Sequence, residues 1–128
     1  MFMVAFMYPA GPNGDFDYEH FTQVHLPMGL GLTKKHLGIT PKKIIVFNPI
    51  VTGEGDLAPY AAISNVLFET EQEAQTFCSL FTFEEAARRL SDDFANYTSG
   101  APEVILAEVK ELTHIDEMIA AFEANEAA

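Results

Sequence analysis

Four side chains in this sequence carry groups suited to proton transfer: His20, His25 and the adjacent acids Asp92 and Asp93. His25 falls on the apolar stripe of a predicted helix, where desolvation favours the neutral imidazole that can act as a base. Asp92 or Asp93 could orient or assist that imidazole. The pattern predicts His25, Asp92 and Asp93 as catalytic residues. A hydrogen-bonded core histidine and an ordinary helix end are the structural alternatives.

Aromatic side chains are abundant, with 11 Phe and 4 Tyr but no Trp. Several are expected to face the space between helices and sheet, and such a lining suits an apolar or aromatic small molecule. The same side chains could instead fill the interior completely. The ligand-binding residues predicted from these positions are His20, Phe21, Tyr60, Phe77, Phe81 and Tyr97.

Several other chemistries find no support in the sequence. His20 and His25 are five residues apart, a spacing that does not place both on one face of an α-helix, so no metal site is predicted. No glycine-rich phosphate loop follows a strand, and no Gly-x-Ser-x-Gly elbow occurs. The single cysteine, Cys78, cannot form an internal disulfide. Its predicted position on a buried helix face would make it inert.

The composition limits the class of protein and its partners. A length of 128 residues fits one domain, and 48% hydrophobic residues fit a globular core. The formal net charge of -12 disfavours nucleic acid and anionic membranes as partners. One cysteine is compatible with a reducing compartment, so a cytoplasmic location is expected. The apolar start of the chain is too short to span a membrane and is better explained as a strand.

The elements that must position these residues follow from the spacing of apolar side chains. A helix capped by Asp15 is expected to be kinked or restarted at Pro27, and Thr70 with Glu73 forms a capping box for the next long helix. Thr113 is predicted to cap a helix at the end of the chain. Strands are predicted over 2–8, 42–51, 60–68 and 103–110, with a turn over 9–14.

The resulting order β-α-β-β-α-β predicts an α+β, ferredoxin-like domain over residues 1–112, with residues 113–128 as a helical extension of the same domain. The strands are apolar on both faces, whereas helices in this arrangement cover only one face. A homodimer would cover the second face with a copy of itself. The alternative is a monomer in which the terminal helix folds back over that face.

The order and spacing of three short motifs resemble the EthD family. They are Phe16 to Phe21 followed by His25-Leu-Pro27, then Glu69-Thr-Glu-Gln-Glu-Ala74, then Asp92-Asp-Phe-Ala-Asn-Tyr-Thr98. The resemblance covers roughly residues 3–108. It implies a dimeric α+β barrel, generally without a cofactor, and it carries the family's histidine over to His25.

The resemblance also implies what the protein does. Relatives include proteins that look like dehydratases or decarboxylases, and neighbouring families of the same barrel include cofactor-free monooxygenases and haem enzymes. We therefore expect a small cofactor-independent protein that binds a small hydrophobic or aromatic metabolite and uses His25 in a dehydration, decarboxylation or isomerisation. The alternatives are a non-catalytic binding or accessory protein of a catabolic pathway, and a cofactor-free monooxygenase. Whether the protein is an enzyme at all stays open at this point.

Overall fold

The computed structural model describes residues 1–11 and 15–128, and its centre is one four-stranded antiparallel sheet. The strands follow the order β2-β3-β1-β4, so the first and third strands of the chain lie in the middle. This order and the helices between the strands confirm the predicted α+β, ferredoxin-like arrangement. The strands are β1 (Phe2–Pro9), β2 (Lys43–Phe47), β3 (Tyr60–Phe68) and β4 (Glu103–Glu108).

Five α-helical segments connect and follow these strands, and none of those described is long and apolar enough to cross a membrane. The first two are joined by a π-helical turn, Phe21–His25, into one continuous helical stretch. The helices are α1 (Tyr18–His20), α2 (Leu26–Leu37), α3 (Glu71–Phe77), α4 (Glu84–Asp93) and α5 (Ile115–Ala127).

The helix starts agree only partly with the sequence. Thr70 caps α3 as predicted, accepting a hydrogen bond from the backbone N–H of Glu73. The predicted cap Asp15 is wrong, because Asp17 accepts the bond from the backbone N–H of His20. The predicted cap Thr113 is also wrong, since α5 begins after His114 without a side-chain cap. Residues 12–14 of the predicted turn lie outside the described residues.

One face of the sheet carries the hydrophobic core. In the register of the strands, Val46, Ser64, Phe6 and Val104 form one row across the sheet on this face. The neighbouring row contains the buried pair Val66 and Val4, which packs against Phe68 and Ala74 beneath α3. The helices pack on these two rows, and a space remains between sheet and helices for the site described below.

The opposite face of the sheet carries exposed apolar side chains, and no described helix covers it. Ile45, Asn65, Ala5 and Ile105 form one row on this face, and Phe47 lies in the next row. Phe47 and Ile105 keep 52% and 46% of their surface exposed. Every residue of α5 is exposed as well. The terminal helix therefore does not fold back over the sheet, as the monomeric alternative required.

Candidate functional site

A π-helical turn brings the two histidines of the first helical stretch together. In an α-helix, residues five apart lie roughly 140° apart around the axis. Over Phe21–His25 the backbone bonds span five residues, as in the bond from the N–H of Leu26 to the carbonyl of Phe21. His20 and His25 therefore face the same carboxylate, and the prediction that their spacing keeps them on different faces is wrong. Such turns occur frequently at functional sites.

The proline that follows explains where the regular helix is interrupted. Pro27 has no amide hydrogen, so it cannot donate to the carbonyl of Gln23 as an ordinary helical residue would. Helix α2 starts at Leu26, which places this proline in its first turn, where a missing donor costs little. The predicted restart near Pro27 is thus observed, in the form of a π-helical turn that ends at His25.

Asp93 joins the two histidines at the end of α4. Its Oδ2 lies 3.0 Å from His25 Nδ1, and its Oδ1 lies 2.8 Å from His20 Nε2. Asn96 adds a third bond by donating from Nδ2 to Oδ1 at 2.9 Å. Asp92, by contrast, is exposed. Of the two predicted acids, only Asp93 is therefore placed where it can orient His25.

Two tyrosines complete the network on the other side of the imidazole. Tyr97 Oη lies 3.1 Å from His25 Nε2, and it lies 2.9 Å from Tyr8 Oη. The rings of His25 and Tyr97 are also in contact, with centroids 4.6 Å apart. Both tyrosines are almost completely buried. Each nitrogen of His25 consequently has a protein partner, Asp93 at Nδ1 and Tyr97 at Nε2.

The protonation states follow from burial and from these bonds. Burial lowers the pKa of His25 below 6.5, and the bond to Asp93 only partly opposes this shift. Burial also acts to raise the pKa of Asp93, but hydrogen bonds from Asn96, His20 and His25 outweigh it and lower the pKa below 3.8. Asp93 is therefore an anion that only accepts, so Nδ1 of a neutral His25 must carry the hydrogen.

The tyrosines remain protonated in the same environment. Burial raises the pKa of Tyr97 strongly, and the neighbouring Tyr8 raises it further. Burial raises the pKa of Tyr8 to about 12, although its hydrogen bond with Tyr97 partly opposes this. With Nδ1 carrying the hydrogen of His25, Nε2 presents a lone pair that accepts from the Tyr97 hydroxyl. In the resting site, the lone pair of this base is thus occupied by a hydroxyl donor.

A cavity of about 340 Å³ adjoins this network between the helices and the sheet. Its size lies within the range of ~300–1,000 Å³ typical of small-molecule sites. His25 forms part of the wall, and so does the Ser64 side chain of the central strand β3. The rest of the wall is mainly apolar. Its aromatic members are Phe6, Tyr8, Phe21, Phe77, Phe81 and Phe94.

The predicted ligand-binding residues divide into two groups. Phe21, Phe77 and Phe81 line the cavity, as expected from their helical spacing. The other three lie elsewhere. His20 and Tyr97 belong to the hydrogen-bond network around His25. Tyr60 begins β3, opposite Pro9 and away from the lining residues.

Cys78 differs from its predicted surroundings. Cys78 is exposed and borders the cavity, so its placement on a buried helix face is wrong. The Cys78 side chain is nonetheless desolvated enough for burial to raise the pKa of its thiol.

Within residues 1–11 and 15–128, no group of three or more His, Cys, Asp or Glu side chains is arranged to hold a metal ion.

Sequence reasoning did not single out Ser64 or Asn96 as site residues. Ser64 interrupts the apolar face of β3 that Ala62 and Val66 share. That interruption was a usable signal, since a hydroxyl on a core-facing position requires a partner. Asn96 gave no such signal, because its contact with Asp93 depends on the short 3₁₀ turn over Phe94–Asn96.

Comparison with known proteins supports the architecture. No protein-family model matches the sequence, and no curated protein matches it significantly. An EthD-like protein from Ralstonia eutropha JMP134 is similar in structure, with a TM-score of 0.67 and 23% identity over 89% of this chain and 96% of that chain. An ethyl tert-butyl ether D (EthD) family protein from Bacillus halodurans C-125 has a TM-score of 0.56 and 15% identity, over 86% of this chain and 99% of that chain. The chain thus has the fold of EthD-like proteins, as the sequence motifs predict.

Proposed function

We propose that this chain is a small, cofactor-independent EthD-like protein that binds a small hydrophobic or aromatic metabolite in the cavity and transfers a proton with His25. The observation that carries this proposal is the position of His25, which lines an apolar cavity while Asp93 holds its Nδ1 at 3.0 Å. Dehydration and isomerisation of a neutral molecule both include such a proton transfer, whereas decarboxylation starts from a carboxylate, for which the described cavity lining offers no countercharge.

His25 is suited to accept a proton at Nε2. Asp93 fixes the tautomer with hydrogen on Nδ1 and stabilises the imidazolium that forms when Nε2 takes a proton. The Tyr97 hydroxyl donates to Nε2 in the resting site and accepts from Tyr8 Oη at 2.9 Å, so proton transfer requires the Tyr97 side chain to move away from Nε2. A bound molecule then meets the free lone pair. The imidazolium then returns the proton from Nε2, to another carbon in an isomerisation or to the leaving hydroxyl group in a dehydration.

His20 and Asn96 act through Asp93 in this proposal. Their bonds of 2.8 Å and 2.9 Å to Oδ1 leave Oδ2 directed at His25. They also help to keep the carboxylate ionised, because hydrogen bonds to the charged form lower its pKa. Both are therefore positioning residues, since neither lines the cavity wall.

Base-catalysed ring opening of 5-nitrobenzisoxazole tests the proposal with a neutral aromatic probe. His25 Nε2 takes the ring C–H proton, the C–H electron pair forms the nitrile, and the N–O bond breaks to leave a coloured phenolate. We expect His25→Gln to lower the rate by ~100-fold or more, as for loss of a general base. The exposed His114 provides the matched control, and His114→Gln should leave the rate unchanged. Equal rates in wild type and His25→Gln would overturn the role of His25.

A non-catalytic binder is the second candidate, and one observation favours it. Both nitrogens of His25 already have protein partners, as expected for a structural imidazole in a satisfied network. A binder of this kind would hold apolar molecules in the cavity with unchanged affinity in His25→Gln. In that case the wild-type protein would open 5-nitrobenzisoxazole no faster than the His25→Gln variant does.

We further propose that the protein is a homodimer formed through the uncovered face of the sheet. Phe47, Ile45 and Ile105 expose apolar surface on that face, and α5 leaves it open. Burying apolar surface is worth about 25 cal/mol per Å², so the apolar side chains exposed on this face favour association. A two-fold pair brings two identical faces together, which is the commonest way to close such a surface.

A further inference from the structure

Ser64 forms part of the wall of the apolar cavity, and its hydroxyl is unpaired. Its residue surface is only 1% exposed, and its Oγ is the only fully buried side-chain polar atom without a hydrogen-bond partner in the described part of the chain. Its neighbours across the sheet are the apolar side chains of Val46 and Phe6. Buried hydroxyls are nearly always paired, so an unpaired one that faces a cavity indicates a position for a ligand group.

The charges around the cavity restrict what that ligand group can be. The lining contains no Lys, Arg, Asp or Glu among the described residues. Burial lowers the pKa of the lining His25, and it raises the pKa values of the lining Tyr8 and Cys78, so all three are held neutral. A carboxylate or phosphate would therefore lose its hydration without meeting a countercharge. An uncharged molecule avoids that cost and still bonds to a hydroxyl.

We infer that the cavity takes an uncharged, mainly apolar molecule with one hydroxyl or carbonyl group, and that Ser64 Oγ is the anchor that binds this group. The inference rests on the proposed use of this cavity for binding, but not on catalysis by His25. The anchor lies on the rigid central strand β3, whereas the proton acceptor lies on the helical stretch above it. Ser64 would thus fix the orientation of the molecule relative to His25.

Binding of three related probes tests the inference: 2-naphthol, naphthalene and 2-naphthoate, measured by fluorescence near neutral pH with the intact chain. We expect 2-naphthol to bind roughly fivefold or more tightly than naphthalene, as for one net hydrogen bond, and 2-naphthoate to bind most weakly. Ser64→Ala should remove the advantage of 2-naphthol over naphthalene. Ser91→Ala, a change of the same type at an exposed position, should keep it.

Other results would overturn the inference. An advantage of 2-naphthol that persists in Ser64→Ala and disappears in His25→Gln would assign the anchor to His25. Tightest binding of 2-naphthoate would show a charged-ligand site, and no binding of any probe would show that the cavity is closed to ligands. Folding is checked by thermal unfolding, where Ser64→Ala should be at least as stable as wild type because the hydroxyl it removes has no partner. If 2-naphthol is preferred over naphthalene in a Ser64-dependent way but 5-nitrobenzisoxazole is not opened, the Ser64 anchor stands and only catalysis by His25 is contradicted.

Discussion

His25 Nδ1 and Asp93 Oδ2 lie 3.0 Å apart although 68 residues separate them in the chain. The bond joins the end of a π-helical turn to the last residue of α4. It fixes which nitrogen of His25 carries hydrogen and which presents a lone pair. The proton transfer proposed for the cavity depends on this contact.

Asp93→Asn should change both the pKa of His25 and the rate of proton transfer. Loss of the anion removes a partner that favours the imidazolium, so the pKa of His25 should fall further. The rate of opening of 5-nitrobenzisoxazole should fall about tenfold or more, because the imidazolium loses its stabilising charge. Asp92→Asn changes the exposed neighbour and should alter neither quantity. Equal effects of the two substitutions would show that Asp93 does not act through His25.

Tyr97→Phe should shift the pKa of His25 in the opposite direction. The Tyr97 hydroxyl donates to Nε2 and thereby stabilises the neutral imidazole. Without this donor, the pKa of His25 should rise, which NMR titration of the imidazole signals measures directly. Tyr60→Phe removes a hydroxyl from a tyrosine away from the cavity lining and serves as the control. A lower pKa in Tyr97→Phe would mean that the hydroxyl accepts rather than donates.

Much of the fold was predictable because it depends on local patterns. The Thr70 and Glu73 motif predicted the start of α3, where Thr70 Oγ1 accepts from the backbone N–H of Glu73 and donates to its Oε1. The strand order followed from the succession of elements. The π-helical turn was not predictable from spacing alone, because its five-residue bonds depend on how the whole helical stretch packs. Pro27 was the one local signal of it, and it indicated the interruption without indicating its form.

The choice between Asp92 and Asp93 could not be made from the sequence either. Adjacent residues on a helix point about 100° apart, so only one of them can face the histidines. Which one does so depends on the rotation of α4 against the first helical stretch. That rotation is set by tertiary contacts such as the packing of Leu90 against Leu32 and Leu80.

Acid should destabilise the folded chain in two separate steps. The pKa of His25 is below 6.5 in the folded chain, so as the pH falls through 6.5 the unfolded chain takes up a proton that the folded chain does not. The free energy of unfolding should therefore decrease from this point downward. Asp93, with a folded pKa below 3.8, adds a further loss below pH 3.8.

Urea unfolding at a series of pH values measures this dependence. His25→Gln should show a smaller loss of unfolding free energy between pH 6.5 and about pH 5 than wild type does. His114→Gln should show the same loss as wild type, because His114 is exposed at the start of α5. An unchanged slope in His25→Gln would mean that the imidazole is not held neutral by burial.

The oligomeric state of the protein tests independently whether the uncovered sheet face forms a dimer interface. We expect light scattering at micromolar concentration to give about twice the chain mass of 14.1 kDa. Phe47→Lys should weaken association by about tenfold or more, because a charge replaces apolar surface in the interface. Val24→Lys changes an exposed apolar residue outside the sheet and should leave the mass unchanged. A mass near 14.1 kDa for wild type would contradict the dimer.

The pH dependence of 5-nitrobenzisoxazole opening, compared with the NMR titration of His25 in the same protein, tests proton transfer by His25 most directly. We predict that the rate declines with acid at a midpoint equal to the pKa of His25, which lies below 6.5. Asp93→Asn should move the midpoint and the NMR pKa together to lower pH. A rate that titrates at a different pH from the imidazole, or that does not follow it in Asp93→Asn, would contradict His25 as the proton acceptor.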